Sequence, residues 1–236
     1  MLAALRQRQP GQPLYRILWW HLYHGICFLA FVPLYRFRAH HVHRIPRTGP
    51  ILFVANHQSY YDPIIVGLGA HFRQFFAMAR ATLWRSRAFR WMTVPLNPIP
   101  VEQGTGDVKA IKRCVQALKD GQALLVFPEG ARTPDGSIQR FEPGVMLLIK
   151  RAKPTVIPVA LDGAYDVWPI HESSPKATGR IGCIYGHPIP AQTLLDMKPA
   201  DACEHLRTQV ANLQAELRTH LHPKPRRRFI RPPASV

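Results

Sequence analysis

The sequence predicts an α/β fold, in which a single domain with a mostly parallel central sheet flanked by helices follows an N-terminal membrane-associated helical segment. Three observations predict it. Short apolar runs alternate along the chain with longer segments of helical periodicity, an order that favours a parallel sheet. Hydrophobic residues make up 47% of the chain, which is enough for a substantial core. The length of 236 residues fits one domain with small additions at its ends.

The first element is an apolar segment, residues 17–35, which carries no formal charge. Its length lies near the lower limit of about 17–25 residues for a membrane-spanning helix. His21, His24, Gly25 and Pro33 interrupt it, so we expect a membrane-embedded or interfacial segment rather than a clean span. A buried core helix is the alternative. We assign residues 1–45 to an apolar and basic membrane-associating segment.

Strands and helices alternate from residue 46 to residue 222, which we assign to the α/β domain. Short apolar runs predict strands, and helical spacing with stop signals such as Gly121 predicts helices. The predicted strands are 50–56, 75–79, 97–101, 123–127, 155–161 and 180–186. The predicted helices are one that Asp62 opens, 83–92, 107–119, 143–152 and a last one that Pro223 ends. Residues 223–236, rich in Pro and Arg, are expected to form a disordered basic tail.

The charge and the cysteines limit the class of protein. A formal net charge of +17 predicts anionic partners, namely nucleic acid, an anionic membrane or phosphorylated small molecules. Cys27, Cys114, Cys183 and Cys203 are far apart, which indicates reduced thiols in a reducing compartment rather than a disulfide or zinc framework.

The first candidate site is NHQSYYD, residues 56–62, directly after a predicted strand. Asp62 is the only acid among the first 101 residues, which hold twelve arginines. A histidine can take a proton from an alcohol, and a carboxylate on its other nitrogen fixes the tautomer and stabilises the imidazolium. We therefore interpret His57 as a general base and Asp62 as its partner. Alternatively Asp62, followed by Pro63, only caps a helix, or it does both.

The second candidate site is VFPEGARTPDG, residues 126–136, which also follows a predicted strand. Gly130 permits close backbone approach, and the planar guanidinium of Arg132 suits phosphate oxygens. A surface turn with an exposed ion pair is the alternative. The sequence has no GxSxG, GxxxxGK[ST], GxGxxG or HExxH motif, so neither a serine hydrolase of that type nor a metal site is predicted.

In their order, these segments resemble the glycerolipid acyltransferase family that includes the 1-acyl-glycerol-3-phosphate acyltransferases. NHQSYYD looks like the family's NHxxxxD motif, LNPIPVEQ its second motif, FPEGARTPDG its FPEGTRS motif, and VIPVAL its fourth, apolar motif. The resemblance covers roughly residues 40–190. Four positions depart from the family pattern: Asn97 replaces Gly, Gln103 replaces Arg, Ala131 replaces Thr and Thr133 replaces Ser.

The resemblance implies a mechanism. His57, oriented by Asp62, removes the proton from an acceptor hydroxyl, which attacks an acyl thioester, while backbone amides stabilise the oxyanion. Arg132 positions a phosphate, and Glu129 and Gly130 shape its loop. At the position of the family's second-motif arginine, Gln103 is a further predicted substrate-binding residue. No metal and no cofactor is implied, since acyl-CoA or acyl-carrier protein is the donor substrate.

The expected function is therefore that of a membrane-associated enzyme of phospholipid biosynthesis. It would act at the cytoplasmic face, as a peripheral, monotopic or singly spanning protein, on an acceptor like lysophosphatidic acid. Gln103 favours another acceptor within the same family: a different lysolipid, glycerol 3-phosphate or an aminoacylated lipid. The charge alone supports a nucleic-acid-binding protein, but no matching signature accompanies it, so no nucleic acid is expected. A catalytically inactive membrane adaptor is disfavoured by the intact pair His57 and Asp62.

Overall fold

The structure, a computed structural model, describes residues 6–80, 97–101 and 107–222. From residue 14 onward, these described residues contain seven strands and eight helical segments. The strands are β1 (Arg38–His40), β2 (Ile51–Ala55), β3 (Phe75–Arg80), β4 (Pro98–Val101), β5 (Ala123–Val126), β6 (Thr155–Asp162) and β7 (Gly182–Tyr185). The α-helices are α1 (Leu14–Tyr35), α2 (Asp62–Gly69), α3 (Val108–Lys119), α4 (Gly144–Ala152), α5 (Ala164–Val167), α6 (Ala191–Leu195) and α7 (Pro199–Leu221), and a 3₁₀ turn covers Val42–Arg44.

The strands form one sheet in the order β1-β7-β6-β2-β5-β3-β4. Every neighbouring pair is parallel except β6 and β7, which run antiparallel. The predicted α/β class with a mostly parallel sheet is therefore confirmed. β2, β5 and β6 lie side by side in the middle of the sheet, so their carboxyl ends open onto the same edge.

Helices cover both faces of the sheet, because successive side chains of a strand point to opposite faces. In β2, Leu52 and Val54 join one buried cluster with residues of α3, α4 and α7. Ile51, Phe53 and Ala55 join the other cluster with residues of α1 and α2. A strand that is buried on both faces is apolar throughout, which explains why the run ILFVA predicted it.

The N-terminal helix α1 is continuous from Leu14 to Tyr35, although Pro33 lies inside it. Its buried face packs on the sheet side, and α2 contacts it closely at Gly67, where a Cβ atom would collide with the ring of His24. Away from this buried face, it exposes large apolar side chains: Tyr15, Leu18, Leu22, Ile26, Phe28, Leu29, Val32 and Leu34. One side of α1 thus packs against the domain, and the rest of its surface is exposed. The helix is neither a fully buried core helix nor detached from the domain.

Some elements differ from the sequence prediction. The sheet begins earlier than the predicted domain boundary at residue 46, because β1 pairs in parallel with β7 through Arg38 opposite Gly182. The short helices α5 and α6 were not predicted. The predicted basic helix at 83–92, the predicted tail at 223–236 and Gln103 lie outside the described residues. The division into 1–45, 46–222 and 223–236 stays a prediction.

Candidate active site

The two predicted motifs meet at the carboxyl edge of the central strands. NHQSYYD follows β2, and FPEGART follows β5, which is the neighbour of β2 in the sheet. Asn56, which the sequence analysis did not single out, anchors the first loop: its amide nitrogen donates to Leu161 O at 3.0 Å, and its Oδ1 accepts from Leu161 N at 2.8 Å. The loop that carries His57 is thereby tied to β6, one of the two neighbours of β2.

His57 and Asp62 form a hydrogen-bonded pair. His57 Nδ1 lies 2.7 Å from Asp62 Oδ2. The carboxylate is fully buried, whereas the side chain of His57 is 21% exposed. Because a carboxylate can only accept, it places the proton of the neutral ring on Nδ1 and leaves Nε2 to accept a proton from a substrate. This is the arrangement that a general base requires.

The structure tests the capping interpretation of Asp62. Asp62 is the first residue of α2, and the N-cap position, Tyr61, makes no side-chain capping bond. The carboxylate turns back instead: Oδ2 accepts from the backbone amides of Gln58 at 2.6 Å and Ser59 at 2.8 Å. The capping role is therefore wrong, and one oxygen both shapes the loop and holds His57.

Phe127 packs against one face of the His57 ring. The two rings stack with centroids 4.1 Å apart and an interplanar angle of 12°. Phe127 directly precedes Pro128 and Glu129 in the second motif, but its role was missed, because only the fold brings it against His57. The stack and the bond to Asp62 together restrict rotation of the imidazole.

Glu129 joins the two loops through backbone groups. Its Oε1 accepts from His57 N at 2.8 Å, and its Oε2 accepts from Gln139 N at 3.0 Å. A second bond, from Thr133 N to His57 O at 2.8 Å, holds the other backbone polar group of His57. The predicted loop-shaping role of Glu129 matches these contacts, whereas a contact of Glu129 with substrate stays a prediction.

Burial raises the pKa of Glu129 to about 7. The amides of Gln139 and His57 oppose this shift because they stabilise the carboxylate, and the negative charges of Asp62 and Asp135 add to it. A carboxyl group whose pKa is higher in the folded state than in the unfolded state binds its proton more tightly when folded. Its contribution to stability is therefore fully present below about pH 4.5 and is lost as the pH rises through about 7.

Glu129→Gln is expected to weaken this pH dependence, because a glutamine does not titrate. The decrease in melting temperature between about pH 5 and about pH 7.5 should be smaller in the variant than in the wild type. Thermal unfolding of both proteins at the two pH values measures it, and the comparison cancels the groups that they share. An equal decrease in both proteins would contradict the shifted pKa.

Gly130 and Arg132 follow Glu129 in the loop after β5. The guanidinium of Arg132 lies over the ring of Tyr60, with Cζ 3.5 Å from the ring centroid. Gly130 has a φ of +73°, and a Cβ atom there would have no neighbour within 4 Å. The left-handed backbone favours a glycine here, and the close backbone approach of a substrate stays a prediction.

The fold and the site together define a class of protein: α/β enzymes that hold a histidine–carboxylate pair at the carboxyl edge of the sheet. Residues 36–162, more than half of the chain, match the model of the family described as Acyltransferase. The chain belongs to the Acyltransferase family, which confirms the predicted family.

Relatives and a solved structure agree with this assignment. A chloroplastic 1-acyl-sn-glycerol-3-phosphate acyltransferase of Arabidopsis thaliana is 24% identical over 187 residues, which are 78% of this chain and 50% of the relative. A lyso-ornithine lipid O-acyltransferase of Pseudomonas aeruginosa is 32% identical over 165 residues, 67% of this chain and 60% of the relative. The chain thus spans about half to three fifths of these two proteins.

The fold also matches a crystal structure. The 1-acyl-sn-glycerophosphate acyltransferase PlsC of Thermotoga maritima superimposes with a TM-score of 0.74 at 19% identity, over 92% of this chain and 87% of that one. At this identity the match supports the fold.

Proposed function

We propose that this protein transfers a fatty acyl group from an acyl thioester to the free hydroxyl of 1-acyl-glycerol-3-phosphate, a step of phospholipid biosynthesis. The observation that carries the proposal is the 2.7 Å contact between His57 Nδ1 and the buried carboxylate of Asp62. It leaves a base on a partly exposed ring, beside a cation, in a chain of the Acyltransferase family.

The proposed reaction needs no covalent enzyme intermediate. His57 Nε2 takes the hydroxyl proton as the oxygen attacks the thioester carbonyl, and Asp62 stabilises the imidazolium that forms. The imidazolium then returns the proton to the departing thiolate. Arg132 binds the anionic group of the acceptor, which fixes the hydroxyl near His57. Acyl-CoA and acyl-carrier protein are both suitable donors, and no metal or cofactor takes part in the proposed steps.

A second acceptor is favoured by two observations. The lyso-ornithine lipid O-acyltransferase has the higher identity of the two relatives, 32% against 24%, and Gln103 stands where the resemblance expects an arginine. The carboxylate of an ornithine group carries one negative charge, whereas a phosphate monoester carries up to two. A site with one arginine fewer is suited to the smaller charge, so acyl transfer to a lyso-aminolipid is the second candidate function.

The experiment that tests both candidates is acyl transfer by the purified full-length protein, followed by lipid mass spectrometry. Acyl-CoA is supplied with 1-acyl-glycerol-3-phosphate, with lyso-ornithine lipid, or with glycerol 3-phosphate. A diacyl product from the first acceptor supports the proposal, and a product from the second alone supports the second candidate. If neither acceptor is acylated by acyl-CoA or by acyl-carrier protein, both candidates are wrong.

We further propose that the enzyme works on the cytoplasmic face of a membrane, with α1 as its contact. This helix is long and apolar enough to cross a membrane, with a mean hydropathy of 1.5, and one of its faces exposes apolar side chains. Arg36 and Arg38 follow it and are exposed, which suits anionic lipid headgroups. A helix packed on the domain along one face and apolar along the other favours insertion parallel to the surface over a span.

Leu22→Glu and Leu29→Glu, each on the exposed face of α1, are expected to weaken membrane binding. Burying a leucine side chain contributes about 1.5–3 kcal/mol, so each change should reduce partitioning into vesicles by about tenfold or more. Flotation with vesicles that contain an anionic phospholipid measures it. Val108→Glu, an exposed apolar position on α3 on the other face of the sheet, is the matched control. Equal flotation of all variants would contradict a role of α1.

A further inference from the structure

The contact between Arg132 and Tyr60 links the two motif loops at the mouth of the site. Arg132 Cζ lies 3.5 Å from the centroid of the Tyr60 ring, which is well within the roughly 6 Å limit for a cation–π interaction. Tyr60 lies in the loop between His57 and Asp62, whereas Arg132 comes from the loop after β5. Because 72 positions separate Tyr60 and Arg132, closeness in sequence does not explain the contact.

Packing of the hydrophobic core does not explain a tyrosine at position 60. It is 45% exposed, so its ring adds little to the buried core. It lies in the loop whose conformation is already set by Asp62, which accepts from the amides of Gln58 and Ser59. On another side its ring contacts Trp168, with centroids 5.2 Å apart. The ring is thus held in place next to Arg132 at the surface of the site.

The direction of the stack matters for what Arg132 can bind. A guanidinium is planar, and its N–H groups point outward in that plane, where they match the two oxygens of a phosphate or carboxylate. An aromatic ring on the face of the plane does not compete for these N–H groups. It restricts the long arginine side chain, so less conformational freedom is lost when an anion binds at the edge.

We propose that Tyr60 is a positioning residue for the acceptor substrate, which acts by holding the guanidinium of Arg132 so that its edge meets the anionic group of that substrate. The inference rests on the proposed function in assuming an anionic acceptor. It adds that the loop that carries the base also sets the anion-binding group. One loop therefore fixes the distance between the hydroxyl at His57 and the anion at Arg132.

The kinetic test compares Tyr60→Leu, which removes the ring, with Tyr60→Phe, which keeps the ring face and loses only the hydroxyl. Tyr60→Leu is expected to raise the KM for 1-acyl-glycerol-3-phosphate by about 3- to 30-fold, as a lost cation–π contact implies, with little change in the KM for acyl-CoA. Tyr60→Phe should recover most of the acceptor affinity. Phe72→Leu is the matched control, because it removes a ring that also contacts a guanidinium, that of Arg47. Phe72 precedes the amino end of β3, whereas the site lies at the carboxyl edge of the sheet.

A double-mutant cycle tests whether Tyr60 acts through Arg132. In the Arg132→Gln background, Tyr60→Leu should cause no further rise in the KM for the acceptor, because no guanidinium remains to be held. An additive effect of the two changes would overturn the proposal. So would an equal rise in the KM for donor and acceptor, or a Tyr60→Phe variant as impaired as Tyr60→Leu.

A binding measurement separates this inference from the proposed function. Calorimetric titration of 1-acyl-glycerol-3-phosphate into the His57→Ala protein, with and without Tyr60→Leu, reports acceptor binding without turnover. If the wild type transfers no acyl group but Tyr60→Leu weakens binding by the same 3- to 30-fold, the proposed function is wrong and the inference holds. If Tyr60→Leu leaves the binding constant unchanged, or if the His57→Ala protein binds no acceptor, the inference is wrong.

Discussion

His57→Ala is expected to lower the kcat of acyl transfer by about 10²–10⁴-fold, the usual contribution of a general base, and to leave the fold intact. The side chain of His57 is partly exposed, and it bonds to Asp62 through Nδ1. The backbone contacts of the same residue, with Glu129 and Thr133, remain in the variant. Removing the imidazole therefore removes the base and leaves the loop largely anchored.

The measurement is steady-state acyl transfer at saturating donor and acceptor, accompanied by circular dichroism and thermal unfolding of each protein. His187→Ala is the matched control, since it removes an exposed imidazole that follows β7. The control should keep near-normal turnover. A folded His57→Ala protein that also kept near-normal turnover would contradict the mechanism, whichever acceptor it used.

The sequence could predict the central strands and the contact between His57 and Asp62, because both depend on local signals. The run ILFVA is apolar at every position, as a strand buried on both faces must be, and the polar loop after it holds the one acid of a basic region. The helix that the spacing of Val108, Ile111, Val115 and Leu118 predicted begins where Asp107 Oδ1 accepts from Ala110 N. Patterns of this kind need no knowledge of distant neighbours.

The parts that the sequence missed depend on contacts between distant segments. β1 has only three residues, and its stability as a strand comes from β7, which lies 144 positions further along the chain, as Arg38 opposite Gly182 shows. Phe127 and Asn56 lie within the two motifs, but only the pairing of β2 with β5 and β6 brings their partners within reach. A local pattern carries no information about such pairs.

The role of Asp62 could not be settled from the sequence for a different reason. An aspartate before a proline at the start of a helix satisfies the pattern of a cap and that of a histidine partner equally well. The decision rests on whether the preceding amides turn toward the carboxylate, which is a property of the loop backbone. The amides of Gln58 and Ser59 do so. The carboxylate therefore accepts hydrogen bonds from the loop that precedes the helix and does not cap the helix.

Asp62→Asn is expected to reduce kcat by about 10- to 150-fold, which corresponds to the roughly 1.5–3 kcal/mol net value of a hydrogen bond to a charged group. All three bonds converge on one oxygen, Oδ2: from His57 Nδ1, Gln58 N and Ser59 N. The amide oxygen of an asparagine is expected to take the position of Oδ2. The opposite orientation would place the NH₂ group, itself a donor, against the backbone N–H donors. The variant should therefore keep the loop and the tautomer of His57 and lose the negative charge that stabilises the imidazolium, while its NH₂ group takes the position of Oδ1, which is buried without a hydrogen-bond partner.

Comparison with Asp62→Ala separates charge from geometry. Alanine leaves the buried amides of Gln58 and Ser59 without their acceptor, which costs about 1–3 kcal/mol for each unsatisfied group. We therefore expect the melting temperature to fall clearly in Asp62→Ala and to change by only a few degrees in Asp62→Asn, while both lose activity. Thermal unfolding and kcat of the two variants measure this. An Asp62→Asn protein with wild-type turnover would show that the carboxylate only shapes the loop, because the charge would then be dispensable to the base.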